Sequence, residues 1–260
     1  MDRKRLAVEP STEAGGSNFC RPDEGRLSHP FDSQPPSALS KLVHEAFRGL
    51  ALNERFSCVA GRAAVRQEAY RFGLYDRMGE ATSAAALGLD LTRFLADEEL
   101  RDQPMTAFVA SFVSPVPTDE TEFEHLLWST LQQLNDFDTR PWAAGAESEP
   151  DHPRFSFSFH GTSFFIVGLH ANSSRFARRF AWSTLVFNPH EQFDRLRREG
   201  RYGRFREAIR SRDISLQGSV NPMLRDFGEQ SEAPQYSGRA VNDAWKCPFR
   251  ARRMPTKEEK

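Results

Sequence analysis

The residues best suited to chemistry follow an apolar run late in the chain. His170 comes directly after the run from Phe164 to Leu169, and three cations follow it: Arg175, Arg178 and Arg179. An imidazole can bind a metal or exchange a proton near neutral pH, and guanidinium groups can pair with carboxylates. Two ordinary alternatives stay open, since a histidine at a strand end often makes a structural hydrogen bond and three arginines can form a solvated helix face.

A second candidate region is the stretch from Asp213 to Arg239, which has neither helical nor strand periodicity. It is rich in groups that form hydrogen bonds, and Gly218 and Gly228 allow unusual backbone angles. Leu224 and Phe227 are apolar side chains that can anchor it. A long aperiodic connection in a folded domain is commonly a functional loop or a disordered linker. We expect an ordered loop that wraps over a site.

The elements around these residues predict an α+β domain. Phe155, Phe157 and Phe159 alternate with polar residues, which is the pattern of a strand with one buried face. With a turn at Gly161 and the apolar run that follows, this strand predicts a central Phe-rich hairpin. Further strands are predicted over residues 106–113 and 182–187, and helices over residues 39–52, 61–75, 84–99, 118–135, 191–199 and 204–211. We expect a small, mostly antiparallel sheet covered by helices.

Composition divides the chain into three parts. Residues 1–38 are rich in Pro, Ser, Gly and charge without a sustained period, which predicts a disordered N-terminal tail. Residues 39–250 carry the helical and strand patterns and predict a single domain. Residues 251–260 predict a charged C-terminal tail.

Charge and cysteine usage argue against several classes of protein. The 35 Lys and Arg residues nearly balance the 36 Asp and Glu residues, so nothing indicates a nucleic-acid partner. No apolar run approaches the roughly 20 residues of a membrane span. Cys20, Cys58 and Cys247 lack CxxC spacing, which speaks against a zinc knuckle or a disulfide scaffold and predicts a reducing, cytoplasmic location. The excess of Phe over Tyr, 22 to 4, favours a dry core or a dry pocket.

Long ordered strings carry a resemblance to a known family. They are RFSFSFHGTSFFIVGLHANSSRFARRF, FNPHEQFDRLRREGRYGRFREAIRSRDISLQGSVNPMLRDFG, SEAPQYSGR and WKCPF, and the resemblance covers residues 39–249. In these strings the chain resembles the YqcI/YcgG family of bacterial proteins. Two positions depart from the pattern that we expect for that family, since Pro234 stands in place of Arg and Ser57 in place of Pro.

The resemblance implies a haem-dependent monooxygenase. Members of the family are known as haem-containing enzymes that hydroxylate guanidine or amine nitrogens, notably of arginine or arginine-derived compounds, in natural-product pathways that include D-cycloserine and guanitoxin biosynthesis. It therefore implies haem b, O2 and a small guanidine or amine substrate. Because no GxGxxG fingerprint for a flavin or nicotinamide appears, a separate reductase would supply the electrons. The alternatives are a non-enzymatic haem carrier or sensor and a cofactor-free ligand-binding module.

Haem would need an axial ligand for its iron and cations or amides for its propionates. His170 is the first choice as iron ligand and catalytic residue, because it lies at a strand end beside phenylalanines and before an Arg-rich segment. Cys247 is the main rival, since a thiolate favours O–O cleavage. Cys58 and His190 follow. The cations that would pair with the propionates are Arg175, Arg178 and Arg179.

A guanidinium substrate would need a carboxylate to hold it, preferably as a bidentate pair. In the aperiodic stretch the candidates are Asp226, Glu229 and Glu232, and Arg239 could bind a substrate carboxylate. Each of these residues, taken alone, is equally well explained as a solvated surface residue. Their clustering in one predicted loop is the reason to assign substrate binding to them.

Overall fold

A five-stranded sheet forms the middle layer of the protein, in a computed structural model that describes residues 18–53, 56, 58–224 and 227–252. The strands in chain order are β1 (Arg21–Asp23), β2 (Arg26–Ser28), β3 (Tyr70–Arg77), β4 (Ala107–Ser114), β5 (Phe157–Phe159), β6 (Thr162–Leu169) and β7 (Ser183–Pro189). The sheet has the order β3-β4-β7-β6-β5, and β1 and β2 form a separate antiparallel hairpin. β3 and β4 pair in parallel, whereas the other neighbours are antiparallel. The predicted α+β fold with a mostly antiparallel sheet is confirmed.

Helices cover both faces of this sheet. They are α1 (Ala38–Leu52), α2 (Val59–Arg66), α3 (Ala81–Leu95), α4 (Glu120–Phe137), α5 (Glu191–Arg198), α6 (Tyr202–Gln217) and α7 (Ala233–Tyr236). α4 begins where the Asp119 carboxylate accepts hydrogen bonds from the backbone N–H groups of Thr121 and Glu122, which satisfies two donors that a helix start leaves free. Within the described residues, no helix combines the length and apolarity needed to cross a membrane.

Strand β6 packs against other elements on both faces, and its successive side chains point to opposite sides of the strand. Phe164 and Ile166 pack in a core cluster with residues of α3 and α4. Leu169 packs in a second cluster with residues of α1 and α2. Phe165 meets Phe193 of α5 with their ring centroids 6.3 Å apart. The sheet therefore separates an α3–α4 side from a side covered by α1, α2, α5 and α6.

The predicted Phe-rich hairpin forms, with Phe157 opposite Phe164 and Phe159 opposite Thr162. β6 lies inside the sheet between β7 and β5. β5 is an edge strand, so the hairpin lies towards one side of the sheet and β7 takes the middle position.

Two predicted elements have different bounds. The helix predicted over residues 61–75 is wrong beyond Arg66: Glu68 has a left-handed φ of 53°, and β3 starts at Tyr70. The alternation of Tyr70 and Phe72, both fully buried, fits a strand as well as the helical spacing that we read there. The helix predicted over residues 204–211 runs on to Gln217, so part of the predicted loop is helical.

The predicted disordered tail is wrong for residues 18–38, which include the β1–β2 hairpin and the first residue of α1. Phe19 and Cys20 are each 1% exposed. The backbone N–H of Cys20 donates to the carbonyl of Phe72 at 2.7 Å, and the N–H of Phe72 donates back at 3.0 Å, which adds Cys20 to the sheet edge. Residues 1–17 of that tail, and residues 253–260 of the predicted C-terminal tail, lie outside the described residues.

A partly buried polar network joins this N-terminal segment to α1 and β3. The Nε2 atom of His44 lies 2.6 Å from the hydroxyl of Tyr70. Arg48 pairs with Glu68 at 3.3 Å, and the same Glu68 oxygen accepts the backbone N–H of Gly25 at 2.6 Å. The hairpin is thus held both by apolar burial and by hydrogen bonds to charged groups.

Deletion of residues 1–34 is expected to lower the free energy of unfolding by at least about 2 kcal/mol, because burial of one Phe side chain alone contributes roughly 1.5–3 kcal/mol. Deletion of residues 1–17 is the control and is expected to change it little. Urea unfolding followed by circular dichroism measures both. Equal stability of the two shortened chains would contradict a structural role for the hairpin.

Candidate functional site

A cavity lies on the side of the sheet that α5 and α6 cover. It has two compartments with volumes of about 110 and 150 Å3. Both are lined by the same five residues: Cys58, Phe165, Val167, Ile209 and Leu224. The first also contains His190, and we call it the His190 compartment; the second contains Arg175, and we call it the Arg175 compartment. Aromatic and aliphatic side chains make most of the wall, so charged groups inside it act in a medium of low polarity.

His190 and Glu232 form a buried hydrogen-bonded pair in the His190 compartment. His190 comes directly after β7, and its backbone N–H donates to the carbonyl of Ser163 at 2.9 Å. Its Nε2 lies 2.8 Å from a carboxylate oxygen of Glu232, and both side chains are 5% exposed. Its Nδ1 is buried and has no hydrogen-bond partner among the described residues. The carboxylate therefore orients the imidazole and leaves one ring nitrogen available.

The position of Glu232 depends on Tyr236, one turn further along the chain. The Tyr236 hydroxyl accepts the backbone N–H of Phe157 at 3.0 Å and donates to the carbonyl of Phe164 at 3.2 Å, so it joins both strands of the Phe-rich hairpin. This anchor fixes α7 against β6. Pro234 lies in the first turn of α7, where proline is favoured because no intrahelical donor is lost.

Two of the three predicted cations, Arg175 and Arg178, line the Arg175 compartment. The Arg175 guanidinium donates to Asp213 at 2.5 Å and to the carbonyl of Ser219 at 2.7 Å. The Arg178 guanidinium donates to the carbonyls of Tyr236 and Gln235, both at 2.8 Å. Burial lowers the pKa of Arg178 to about 10, so the group remains charged at neutral pH.

The position of Arg178 also explains why residue 238 is a glycine. Gly238 has a φ of 85°, and a Cβ atom there would lie 2.5 Å from the Cδ of Arg178. The third predicted cation, Arg179, is exposed and lies over the ring of Phe176 at 4.4 Å. It lines neither compartment.

His170 lies on the opposite side of the sheet from the cavity. Its ring stacks on Phe123 of α4 with centroids 4.3 Å apart, and it is fully buried. Gly168 makes room for this contact, since a Cβ atom there would lie 2.5 Å from the Phe123 ring. Neither ring nitrogen of His170 has a partner among the described residues. Its predicted role as iron ligand stays a prediction, but His170 lines neither compartment.

The two cysteines considered as alternative iron ligands, Cys58 and Cys247, lie in different parts of the protein. Cys58 lines both compartments, and its sulfur accepts the backbone N–H of Gly61 at 3.3 Å at the start of α2. Burial raises the pKa of its thiol. Cys247 packs against the core on the α3–α4 side, and burial raises the pKa of its thiol to about 12. Both thiols are therefore protonated at neutral pH in this conformation.

Of the predicted substrate-binding residues, the three that the structure describes lie in different surroundings. Glu232 lines the His190 compartment, whereas Glu229 is exposed to solvent. Arg239 pairs with Glu124 of α4 at 2.7 Å, and hydrogen bonding to that carboxylate raises the pKa of Arg239. Asp226 lies outside the described residues. The predicted loop nevertheless contributes cavity wall, through Asn221, Leu224, Phe227 and Glu232.

The His190–Glu232 pair was not predicted from the sequence as a unit. His190 was one of several candidate ligands, and Glu232 was assigned to substrate. The two are 42 residues apart, and no spacing rule connects a strand end to a loop acid. The available signal was local, since His190 follows the Asn188–Pro189 strand stop at the edge of the apolar hairpin region.

Acid is expected to destabilise the protein between pH 6.5 and 4. Burial lowers the pKa of both His44 and His170 to about 4, from an ordinary value of 6.5. The unfolded chain therefore binds protons in this window while the folded chain does not, and the free energy of unfolding falls as the pH decreases. Each unit of pKa shift corresponds to about 1.4 kcal/mol, so the combined loss reaches roughly a few kcal/mol.

Urea unfolding at several pH values measures this loss. In the His44→Gln/His170→Gln double variant, the slope of the unfolding free energy against pH is expected to be shallower. His125→Gln is the control, because His125 is exposed on α4. A slope in the double variant equal to that of the control would show that neither buried histidine is responsible.

Comparison with known proteins identifies the family. A family model described as the YqcI/YcgG family matches residues 47–250. Two relatives come from Bacillus subtilis (strain 168): "Uncharacterized protein YcgG" is 28% identical over 210 residues, 75% of this chain and 81% of the relative, and "Uncharacterized protein YqcI" is 26% identical over 204 residues, 75% of this chain and 80% of the relative. No solved structure matches the chain significantly. The matched segment contains both β6 and the His190–Glu232 pair, and the resemblance read from the sequence is confirmed: this chain belongs to the YqcI/YcgG family.

Proposed function

We propose that this protein is a haem-dependent monooxygenase that hydroxylates a nitrogen of a small guanidine or amine metabolite, with its chemistry in the cavity under α5 and α6. The observation that carries this location is the buried His190–Glu232 pair, which presents an unpartnered ring nitrogen in an apolar compartment. The reaction class, and arginine or an arginine-derived compound as substrate, rest on the resemblance to haem-containing members of the family.

The donor groups in the cavity fit a haem. A histidine that binds a metal commonly donates its other ring N–H to a carboxylate, which fixes the tautomer and makes the ligating nitrogen more basic. His190 has that arrangement, since Glu232 lies at Nε2 and Nδ1 is without a partner among the described residues. In this proposal His190 replaces His170 as the iron ligand. Arg175 and Arg178, which line the other compartment of the same cavity, are the guanidiniums that would pair with the propionates.

The volume of the cavity fits a haem only after the roof moves. Pockets for drug-sized ligands hold roughly 300–1,000 Å3, whereas the two compartments hold about 110 and 150 Å3. The roof consists of α6 and the segment after it, and Arg175 ties it to the strand side through Asp213 and Ser219. Haem binding in this cavity therefore requires α6 to move away from β6. A propionate that replaced Asp213 as the partner of Arg175 would release that tie.

The haem and the residues of the cavity have separate roles in this proposal. Haem would supply the activation of O2, with electrons from a separate reductase. Glu232 holds the proton on Nε2 of His190 and keeps the ring in place. Phe165, Phe193 and Phe227 exclude water from the region around His190. Because Glu232 also lines the His190 compartment, binding of a cationic substrate is the alternative role for this carboxylate.

Replacement of the two histidines tests the assignment of the ligand. His190→Gly is expected to abolish the Soret absorption of the purified protein, and added imidazole is expected to restore it by filling the space of the lost side chain. His170→Ala is expected to keep the Soret band, because His170 lies across the sheet. Retention of haem in His190→Gly together with its loss in His170→Ala would return the assignment to His170. A thiolate-type ferrous-CO band would assign the iron to Cys58 or Cys247.

The same preparation tests the function. A protein without a Soret band after haem is added would refute haem binding. A haem-loaded protein that, with a chemical reductant and O2, oxidises none of a panel of guanidines and amines would be a carrier or sensor. Formation of an N-hydroxy product, detected by mass spectrometry, is the expected result.

Replacement of Glu232 separates orientation of His190 from binding of substrate. Glu232→Ala is expected to weaken haem binding roughly 10–100-fold, as replacement of the outer partners of metal ligands commonly does. Glu232→Gln keeps an acceptor for the His190 N–H and is expected to restore most of that affinity. Glu229→Gln is the control on the exposed part of the same segment. If both Glu232 variants bind haem normally but show a raised KM, Glu232 binds substrate and does not position His190.

A further inference from the structure

An open groove of about 550 Å3 lies between α2, α5 and α6, outside the cavity described above. Its floor is a separate apolar cluster that includes Ala60, Met105 and Leu196, each less than 10% exposed. Ala60 and Phe205 line both this groove and the His190 compartment, so they form the partition between the two spaces. A volume within the usual range for small-molecule sites favours a small molecule over a protein segment as the occupant.

Three arginines line the groove: Arg195, Arg201 and Arg204. Arg195 is fixed by hydrogen bonds and keeps donors for a ligand. The Nη2 of Arg195 donates to the backbone carbonyls of Gln103 (3.0 Å) and Pro104, which fixes the plane of the guanidinium. Its Nε and Nη1 have no partner among the described residues. Arg195 is therefore a rigid guanidinium with donors to spare, and that geometry matches a carboxylate or a phosphate.

The groove carries a net positive charge, because its lining contains three arginines and one acid, Glu199. Arg201 pairs with Glu199, the acid that lines the groove with it, at 3.0 Å. Arg204 is exposed and has no partner among the described residues. The segment from Glu191 to Asp213 contains eight arginines and five acids, in a chain whose net charge is −1. Positive charge is thus concentrated on α5 and α6, where this groove opens.

We propose that the groove between α2, α5 and α6 binds a small anionic molecule that carries an apolar group. Arg195 and Arg204 bind the anion, and the floor around Ala60, Met105 and Leu196 receives the apolar part. A carboxylate and a phosphate share the chemistry that these guanidiniums recognise. This site is distinct from the cavity of the proposed oxygenase, and its test does not require haem.

The test uses the fluorescent probe 8-anilinonaphthalene-1-sulfonate, which joins an anion to an aromatic body, and the neutral N-phenyl-1-naphthylamine, which lacks the sulfonate. The full-length protein is expected to bind the sulfonate saturably at one site. Arg195→Gln/Arg204→Gln is expected to weaken that binding at least tenfold while changing binding of the neutral probe less than twofold. Ala63→Trp, on the groove side of α2, is expected to block both probes.

Arg198→Gln is the matched control, because Arg198 is an exposed cation of α5 that does not line the groove. Thermal unfolding of each variant accompanies the titrations, since the sulfonate probe also binds partly folded proteins. Unchanged sulfonate binding in the arginine double variant, or equal weakening in Arg198→Gln, would overturn the proposal. The double variant changes surface side chains, so the test stands even if Ala63→Trp does not fold.

Competition then identifies the anion. Displacement of the bound sulfonate probe by laurate indicates a carboxylate ligand, and displacement by dodecyl phosphate indicates a phosphate ligand. Dodecanol is the neutral comparison. If dodecanol competes as well as the two anions, the groove selects only for apolar surface and the proposed anion site is wrong.

Discussion

The packing of β6 on both faces is the constraint on which the rest of the structure depends. Because its side chains alternate, Phe164 and Ile166 pack under α3 and α4 while Phe165 and Val167 face the cavity under α5 and α6. A one-residue shift in register would exchange these two sets and put each on the wrong side. The strand therefore fixes that His170 lies on the side away from the cavity. His190 follows β7 on the cavity side, and His170 leaves β6 towards Phe123.

Buried charged and polar groups hold the cavity wall in place, and each has partners from a different element. Arg178, which follows β6 in the chain, binds the carbonyls of α7, and Arg175 binds Asp213 of α6. Tyr236 joins α7 to the hairpin, and Glu232 joins it to His190. A buried charge that loses its partner destabilises a protein strongly. These contacts therefore hold α7 in place. A helix of four residues is too short to be stable through its own hydrogen bonds.

The sequence predicted those elements whose signals are local. The alternation of Phe155, Phe157 and Phe159 gave the hairpin, and the acidic first turn near Asp119 gave α4. The helix predicted over residues 61–75 was wrong beyond Arg66. Ala64, Ala69 and Phe72 fit a helical period, whereas the sheet packing of Phe72 depends on β4 and Cys20. Pairing partners distant in the chain are not visible to a local pattern.

The same limit applies to the site and to the N-terminal segment. Residues 18–38 have the composition of a disordered tail, yet burial of Phe19 and Cys20 and the backbone pairing of Cys20 with Phe72 bring the segment onto the sheet edge. The sequence predicted which kinds of residue would form a site: an imidazole near arginines, and a loop that carries acidic residues. Their combination was not, because the choice between His170 and His190 depends on which face of β6 each one reaches.

Helix α6 connects the two binding sites that we propose. Ile209 and Asp213 face the Arg175 compartment, Arg204 and Ala208 face the groove, and Phe205 lines both the groove and the His190 compartment. If a ligand moves α6 outward while α5 stays in place, Arg204 moves away from Arg195, and the two guanidiniums that would hold an anion are separated. Haem in the cavity and an anion in the groove are then expected to oppose each other. Since coupling between binding sites is reciprocal, each must weaken the other by the same factor.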